Sequence, residues 1–308
     1  MFLAPQPLHI PDGFLSVAVA LVMWIISVAV IAYALKRAGH DLGERQVPMM
    51  GILAAAIFAG QMLNFTIVGG TSGHLMGAAI ATILLGPWAA ILVMTTVVAV
   101  QALIFQDGGL LVLGANIFNM AIIGVAVSYF LYRTIQRLAN GKNWGLVASS
   151  FVAAWATILV VALAVALQLA ISGTSPANIA IPTMGAIHAL IGIGEGLITV
   201  GALALVISTR PDLVRASAEP STGGAILWVA GLGIALLLAI ASPLASANPD
   251  GLEWIAQEQG FLDSAQAPLY KLIPDYVIPG MSKQALATVV AAIFGTLLVF
   301  GVALAVAY

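Results

Sequence analysis

The sequence predicts an all-α polytopic membrane protein, with a seven-helix bundle, a re-entrant loop and two additional transmembrane helices. Hydrophobic residues make up 62% of the 308-residue chain and charged residues only 7%, which is too little charge to solvate a soluble surface. Apolar runs long enough to cross ~30 Å of hydrocarbon recur along the chain. The net charge of −2 argues against a nucleic-acid partner, and the absence of cysteine excludes thiolate metal sites.

Nine apolar runs, separated by charges, glycines and prolines, are predicted to span the membrane. They cover residues 15–35, 47–65, 75–85, 88–105, 110–132, 145–171, 184–208, 225–245 and 285–307. The third run is short. Gly86-Pro87 follows it and predicts a tight turn, because proline lacks an amide hydrogen and disfavours helix in the residue before it. One kinked helix formed from the third and fourth runs is the chief alternative.

Basic residues predict the orientation, because cytoplasmic loops hold an excess of lysine and arginine. With nine spans and the amino terminus outside, the inner residues are Lys36, Arg37, Arg45, Arg133, Arg137, Lys142, Arg210 and Arg215. Only Lys271 and Lys283 then lie outside. If the third and fourth runs formed one span, the basic residues at 133–142 would lie on the opposite side of the membrane from the other inner basic residues. The charge pattern therefore favours two separate spans.

A change in composition predicts the domain organisation. Residues 211–224 contain proline, serine, threonine and mixed charge, which is typical of a linker. They are predicted to join a seven-helix unit at residues 1–210 to a two-helix unit at residues 225–308, on the cytoplasmic side. The two-helix unit carries an outer loop at residues 246–283, which either attracts cations through its acidic residues or is a solvated spacer.

Polar side chains concentrate toward the predicted outer side of the bundle, although such groups are costly in lipid. They are Gln61, Asn64, Gln101, Asn116, Asn119 and His188. The glycine-rich loop before His74 is predicted to fold back at the same depth. Such a loop is tolerated inside the membrane only when protein or water surrounds it.

His74 is either a metal ligand or a loop histidine without that role. His188 is either a satisfied helix histidine or a ligand, and Glu195 on the same helical face either makes a structural hydrogen bond or acts in transport.

Several motifs together resemble the membrane substrate-capture subunit of cobalt and nickel energy-coupling-factor transporters. They are His9-Ile-Pro-Asp-Gly-Phe-Leu15, Gln61-Met-Leu-Asn-Phe65, Gly69-Gly-Thr-Ser-Gly-His74, Leu113-Gly-Ala-Asn-Ile-Phe-Asn119 and His188-Ala-Leu-Ile-Gly-Ile-Gly-Glu195. The outer-loop motif Asn248-Pro-Asp-Gly-Leu-Glu253 is similar to the small two-helix accessory subunit of the same systems. The chain therefore resembles a fusion of the two subunits.

The resemblance implies that nickel(II) or cobalt(II) is the transported substrate. In the family, the histidine that matches His9 is the second residue, and the terminal amine, its own amide nitrogen and its imidazole chelate one ion. The histidine that matches His74 supplies a fourth nitrogen. Four nitrogens in a plane suit nickel(II). Low pH should weaken capture, because these nitrogens must lose protons to bind.

The amino terminus departs from the family pattern, because seven residues precede Leu8. We expect Leu8 to be the true start, encoded by a leucine-type initiation codon, so that its amine can bind metal. Proteolytic trimming before Leu8 would serve equally. If neither happens, His188 or Asp12 becomes a candidate ligand. Residues predicted to lie around the ligands are Asp12, Gln61, Asn64, Asn116, His188 and Glu195.

The sequence contains no Gly-x-x-x-x-Gly-Lys-Ser/Thr phosphate loop, since Gly141-Lys142 is followed by asparagine. The chain is therefore predicted to be a non-enzymatic transporter subunit. The resemblance implies a coupling transmembrane subunit and a cytoplasmic ATPase pair as partners, in a prokaryotic inner membrane. Alternatives are an ion-coupled carrier without ATPase partners, a metal sensor or structural membrane protein, and an intramembrane hydrolase. The hydrolase is disfavoured because no His-Glu-x-x-His motif occurs. The choice between nickel and cobalt stays open.

Overall fold

The computed structural model describes residues 9–41, 46–67, 69–140, 142–210 and 224–307. These ranges are mostly helical. The α-helices are α1 Val17–Asp41, α2 Gln46–Gln61, α3 Ala78–Leu85, α4 Pro87–Val100, α5 Leu113–Ile117, α6 Gly124–Ala139, α7 Asn143–Ile171, α8 Ala177–Thr209, α9 Gly224–Ala241, α10 Gly251–Glu258 and α11 Gln284–Ala307. Two π-helical segments, Gln101–Phe105 and Phe118–Ile123, extend α4 and join α5 to α6. Strands β1 Phe65–Thr66 and β2 Ser72–Gly73 form a short antiparallel hairpin between α2 and α3, and 3-10 turns cover Ser242–Leu244, Leu262–Ser264 and Pro274–Tyr276.

Helix length divides the predicted spans into three groups. In the part of the chain described, six helices are long and apolar enough to cross a membrane: Val17–Gly39, Pro87–Phe105, Leu113–Ala139, Trp144–Ile171, Ala177–Thr209 and Gln284–Ala307. Two shorter apolar helices lie at Gln46–Gln61 and Trp228–Leu244. The remaining predicted span is the much shorter α3. The polytopic helical class is therefore confirmed, whereas the count of seven plus two spans is not.

The third predicted span differs most from its expectation. Its helix covers only Ala78–Leu85, and eight residues rise about 12 Å, far less than the hydrocarbon core. Residues 75–77 are not helical: Gly77, with φ 81°, directly precedes the helix, and the backbone N–H groups of Met76 and Gly77 bond to the side chain of Glu195. The predicted turn is present: Gly86 has φ 80°, and Pro87 is the first residue of α4, a position that proline tolerates because its missing N–H has no partner to lose.

Packing places α4 in the middle of the bundle, between α1 and α2. On one side α7 packs between α6 and α8, and on the other α2 packs against α9 and α11 of the accessory part. The outward faces carry exposed apolar side chains, such as Ile25 on α1, Leu197 on α8 and Leu237 on α9. An outer surface with many exposed apolar side chains suits contact with lipid rather than water.

The helices give the bundle two distinct ends. The residues just before α1 contact both α5 and the turn before α8, where the Thr174 hydroxyl donates to the carbonyl of Phe14 at 2.6 Å. Helices α1, α5–α6 and α8 therefore start at one end and run toward the other. Their basic residues Lys36, Arg37, Arg133, Arg137 and Arg210 lie at or near the far end. Arg45, Arg215 and the predicted linker up to residue 223 lie outside the described residues.

Candidate metal-binding site

The segment before α1 is held against the loop that precedes α5. The Asn116 side chain makes two hydrogen bonds of 3.1 Å with Ile10, one from the Ile10 N–H and one to its carbonyl. The Asp12 carboxylate accepts two backbone N–H bonds from the same loop, at 3.0 and 3.1 Å. Asp12 therefore anchors the segment. As a result His9, which directly precedes these anchors, is only 4% exposed.

The His74 loop is fixed by side chains of α8 and α2. The carboxylate of Glu195, 1% exposed on α8, accepts the N–H groups of Met76 and Gly77 at 2.8 and 2.9 Å. The amide of Gln61 donates to the carbonyl of Met76 at 2.9 Å. These bonds hold Met76 and Gly77, the second and third residues after His74. The structure therefore gives Glu195 the structural hydrogen bonds that the sequence left as one of two alternatives.

One cavity of about 80 Å³ brings three histidines together: His9, His74 and His188 all line it. The ring centroids of His9 and His74 are 6.1 Å apart. In the described part of the chain, Nε2 of His9 is buried and has no hydrogen-bond partner, which is unusual for a native structure. His188 uses Nδ1 to bond the carbonyl of Met184 at 2.8 Å.

Asp107 is a site residue that sequence reasoning missed. One of its oxygens accepts the backbone N–H of His9 at 3.3 Å and lies 2.9 Å from Nδ1 of the same residue. Burial lowers the pKa of His9, but the charge of Asp107 and hydrogen bonding to it prevail, so the pKa is raised. The available signal was a lone carboxylate before two glycines, between two apolar runs at the predicted outer end.

The accessory part completes the wall of the cavity. Ser72 of β2 donates its N–H to the carbonyl of Pro249 at 2.8 Å and its hydroxyl to that of Asn248 at 2.9 Å. Asp250, the next residue, lines the cavity. Burial raises its pKa to about 7, although a backbone hydrogen bond from Glu253 opposes the shift. The His74 loop and the outer loop of the accessory part therefore form one surface.

We expect Gly251→Ala to destabilise this wall. A Cβ atom at Gly251 would lie 2.8 Å from Cε1 of His188, and over-packing of this kind costs about 1–3 kcal/mol. Melting of the purified protein in detergent should occur at a lower temperature, and its metal affinity should fall. Gly233→Ala in α9 is the matched control, because nothing lies within 4 Å of its Cβ position. Equal melting temperatures for the two variants would contradict the close approach.

The predicted site residues fall into two groups. Those that line the cavity are His9, His74, Asn116 and His188. Those that bond to backbone groups around it are Asp12, Gln61 and Glu195, while Asn64 contributes its own carbonyl to the N–H of Ser246. Leu8 lies outside the described residues, so its amine as a ligand stays a prediction.

Side chains alone do not complete a metal site here. Within the described ranges, no three histidine, aspartate or glutamate side chains are arranged to hold one ion. His188 therefore does not act as a third ligand to His9 and His74 in this conformation. A transition metal bound between these two imidazoles would need ligands of another kind.

The cavity, lined by two imidazoles whose ring centroids lie 6.1 Å apart, belongs to a helical bundle whose long apolar helices define a polytopic membrane protein. The family described as cobalt uptake substrate-specific transmembrane region matches residues 9–213, and the PDGLE domain matches residues 225–308. The chain belongs to this cobalt uptake family and is a substrate-capture subunit of the CbiM type fused to a small PDGLE subunit. The resemblance drawn from the motifs is thus confirmed.

Individual relatives agree with this assignment. A "Putative fused nickel transport protein NikMN" of Archaeoglobus fulgidus is 38% identical over 301 residues, which cover 97% of each chain. A "Cobalt transport protein CbiM" of Geobacter sulfurreducens is 29% identical over 70% of this chain and 64% of its own. A solved structure titled as a truncated transition metal transporter has a TM-score of 0.58 at 36% identity, and covers 65% of this chain and 99% of that one.

Proposed function

We propose that this chain captures nickel(II) or cobalt(II) at the extracytoplasmic face of a prokaryotic plasma membrane. It then delivers the ion inward as the substrate-specific component of an ATP-driven energy-coupling-factor importer. The observation that carries this proposal is the pair of imidazoles, His9 and His74, which meet at one buried cavity from distant parts of the sequence. Relatives named for nickel and for cobalt transport support the class of substrate.

The distance between the two rings supports a shared ion. Two imidazoles that bind one metal at about 2.0–2.1 Å have ring centroids no more than about 6.4 Å apart, the limit reached when they lie on opposite sides of the ion. The centroids of His9 and His74 are 6.1 Å apart. This distance is within the limit, so the two rings are close enough to share one ion.

Backbone nitrogens are proposed to complete the coordination. The amide nitrogen of His9 lies beside its own ring, and a chain that begins at Leu8 would add a terminal amine. With the imidazoles, these groups supply four nitrogens, a set that in planar arrangement suits nickel(II) better than zinc(II). Sequencing the amino terminus of the active protein tests this ligand set, since an intact Met1 start would remove the amine.

The placement of basic residues supports capture from outside. The basic ends of α1, α6 and α8 lie opposite the end that carries His9. Lysine and arginine concentrate on the cytoplasmic side of membrane proteins. This distribution supports the proposal that the cavity lies at the extracytoplasmic end and that the amino terminus is outside.

The chain is proposed to work as two units with separate partners. Residues 1–210 form the capture unit, residues 211–224 the cytoplasmic linker and residues 225–308 the accessory unit with its outer loop. Since the sequence has no phosphate loop, ATP hydrolysis belongs to a cytoplasmic ATPase pair, coupled through a second membrane subunit.

Uptake of radioactive nickel or cobalt by intact cells tests this function. Cells that express the chain with its coupling subunit and ATPase pair should accumulate metal. Cells in which the ATPase pair is inactivated should not, because no other energy source is coupled to the bound ion. Accumulation by the chain alone, abolished by a protonophore, would contradict the proposal and identify an ion-coupled carrier instead.

A further inference from the structure

The accessory part contributes a buried carboxylate to the wall of the metal cavity. Asp250 lines this cavity together with His9 and His74, and it is only 5% exposed. Asp250 and His9 are close enough for their charges to interact. A carboxylate from the outer loop therefore lies beside the imidazoles that are proposed to bind the ion, although it is far from both in the sequence.

This carboxylate is held in place from two sides. Asp250 is the N-cap of α10, where its Oδ1 accepts the backbone N–H of Glu253 at 2.7 Å. The backbone of Asp250 also forms an isolated parallel bridge with Ser72, two residues before His74. The side chain therefore stays at the cavity unless the cap or the bridge breaks.

An ionised carboxylate in this position is costly while the cavity is empty. Burial raises the pKa of Asp250 to about 7, and the hydrogen bond from the Glu253 N–H opposes this shift only in part. An acid whose pKa is higher in the folded than in the unfolded chain destabilises the fold once it is ionised. Asparagine caps a helix about as well and carries no charge. Capping alone therefore does not account for a carboxylate here.

A bound divalent ion supplies the opposite charge. The proposed ligands are two neutral imidazoles, a neutral amine and one deprotonated amide, so a complex with nickel(II) keeps a net positive charge. Burying such a charge is unfavourable unless an opposite charge lies near it. Asp107 is also near, but it contacts the backbone N–H and Nδ1 of His9, which are groups that the ion would need. Asp250 can balance the charge while its Oδ1 stays on the cap of α10.

We propose that Asp250 is the counter-charge for the captured ion, supplied by the accessory part to stabilise nickel(II) or cobalt(II) between His9 and His74. The role is electrostatic, because in the ranges that the structure describes no three histidine, aspartate or glutamate side chains are arranged to hold one ion. This inference rests on the proposed function, since it assumes that the ion binds at the two histidines.

Equilibrium dialysis of the full-length protein in detergent against radioactive nickel(II) tests the inference. It is done at about pH 8, above the pKa of Asp250. Asp250→Asn keeps an acceptor oxygen for the cap and removes the charge, so nickel should bind about 10-fold or more weakly. Without metal, the variant should melt at the same or a higher temperature, because a buried charge no longer opposes folding. Asp263→Asn is the matched control: its carboxylate lies in the same outer loop but is exposed, so neither quantity should change.

The visible d–d spectrum of bound nickel(II) distinguishes a counter-charge from a ligand. At saturating nickel, Asp250→Asn and the wild type should give the same spectrum, because their ligands are the same. A different spectrum would make Asp250 a ligand and overturn its role as a counter-charge.

Two other results overturn this inference and leave the proposed function intact. One is an unchanged affinity in Asp250→Asn. The other is a weaker affinity together with a lower melting temperature of the metal-free variant, which would mean a loss of structure. Asp250→Ser, with another favoured capping residue, repeats the comparison if the asparagine variant does not fold. A wild type that binds neither nickel nor cobalt overturns the proposed function as well.

Discussion

Replacing His74 with alanine is expected to abolish high-affinity binding of nickel(II) and to leave the helical bundle folded. His74 supplies one of the two imidazoles at the cavity, with its ring centroid 6.1 Å from that of His9. Loss of a direct ligand should exceed the roughly 10- to 100-fold effect of losing an outer partner. Equilibrium dialysis of the purified variant measures the affinity, and melting without metal shows whether the fold is kept.

His188→Ala is the comparison that makes the result specific. His188 lines the same cavity, but Nδ1 bonds to Met184 and the residue does not form a three-side-chain site with the other two histidines in the described part of the chain. We expect this variant to bind more weakly than the wild type and clearly more tightly than His74→Ala. Unchanged affinity in His74→Ala, or an equal loss in both variants, would refute the assigned ligands.

Much of the helical architecture was predictable, because the membrane imposes a length and a composition that local sequence reports. The two runs between Trp144 and Thr209 correspond to α7 and α8, and the turn at Gly86-Pro87 lies where proline chemistry places it. The boundaries were less accurate. The seventh span was predicted to start at residue 184, but α8 begins at Ala177, with Pro182 inside it.

The parts that escaped prediction depend on contacts between distant residues. Asp107 contacts His9 across 98 positions, and Ser72 bonds Asn248 across 176; no local pattern reports such pairs. The third predicted span differs from the observed helix for a similar reason. Residues 75–77 are apolar enough to continue a helix, but Gly77 adopts a positive φ, and a carboxylate more than 100 positions later accepts the N–H groups of Met76 and Gly77.

Replacing that carboxylate should produce the second large effect. Glu195→Ala leaves the N–H groups of Met76 and Gly77 buried without an acceptor, and each such group costs about 1–3 kcal/mol. We expect the free energy of unfolding to fall by roughly 2–6 kcal/mol, the sum of the two costs. Metal affinity should fall with it, since His74 directly precedes the loosened backbone. Thermal melting and nickel dialysis on the same sample measure both quantities.

Glu195→Gln separates a structural role from a role in transport. The amide keeps one acceptor oxygen and turns an NH₂ group toward the other N–H, so stability and affinity should fall together, by less than in the alanine variant. Glu258→Gln is the control, because this glutamate is exposed on α10 and should change neither quantity. If Glu195 instead acted in a transport step, Glu195→Gln would melt and bind nickel as the wild type does, and only uptake by cells with the full set of partners would be lost. The two short N–H bonds to one buried carboxylate favour the first outcome, because a side chain that clamps the backbone of the His74 loop cannot be altered without moving the ligand.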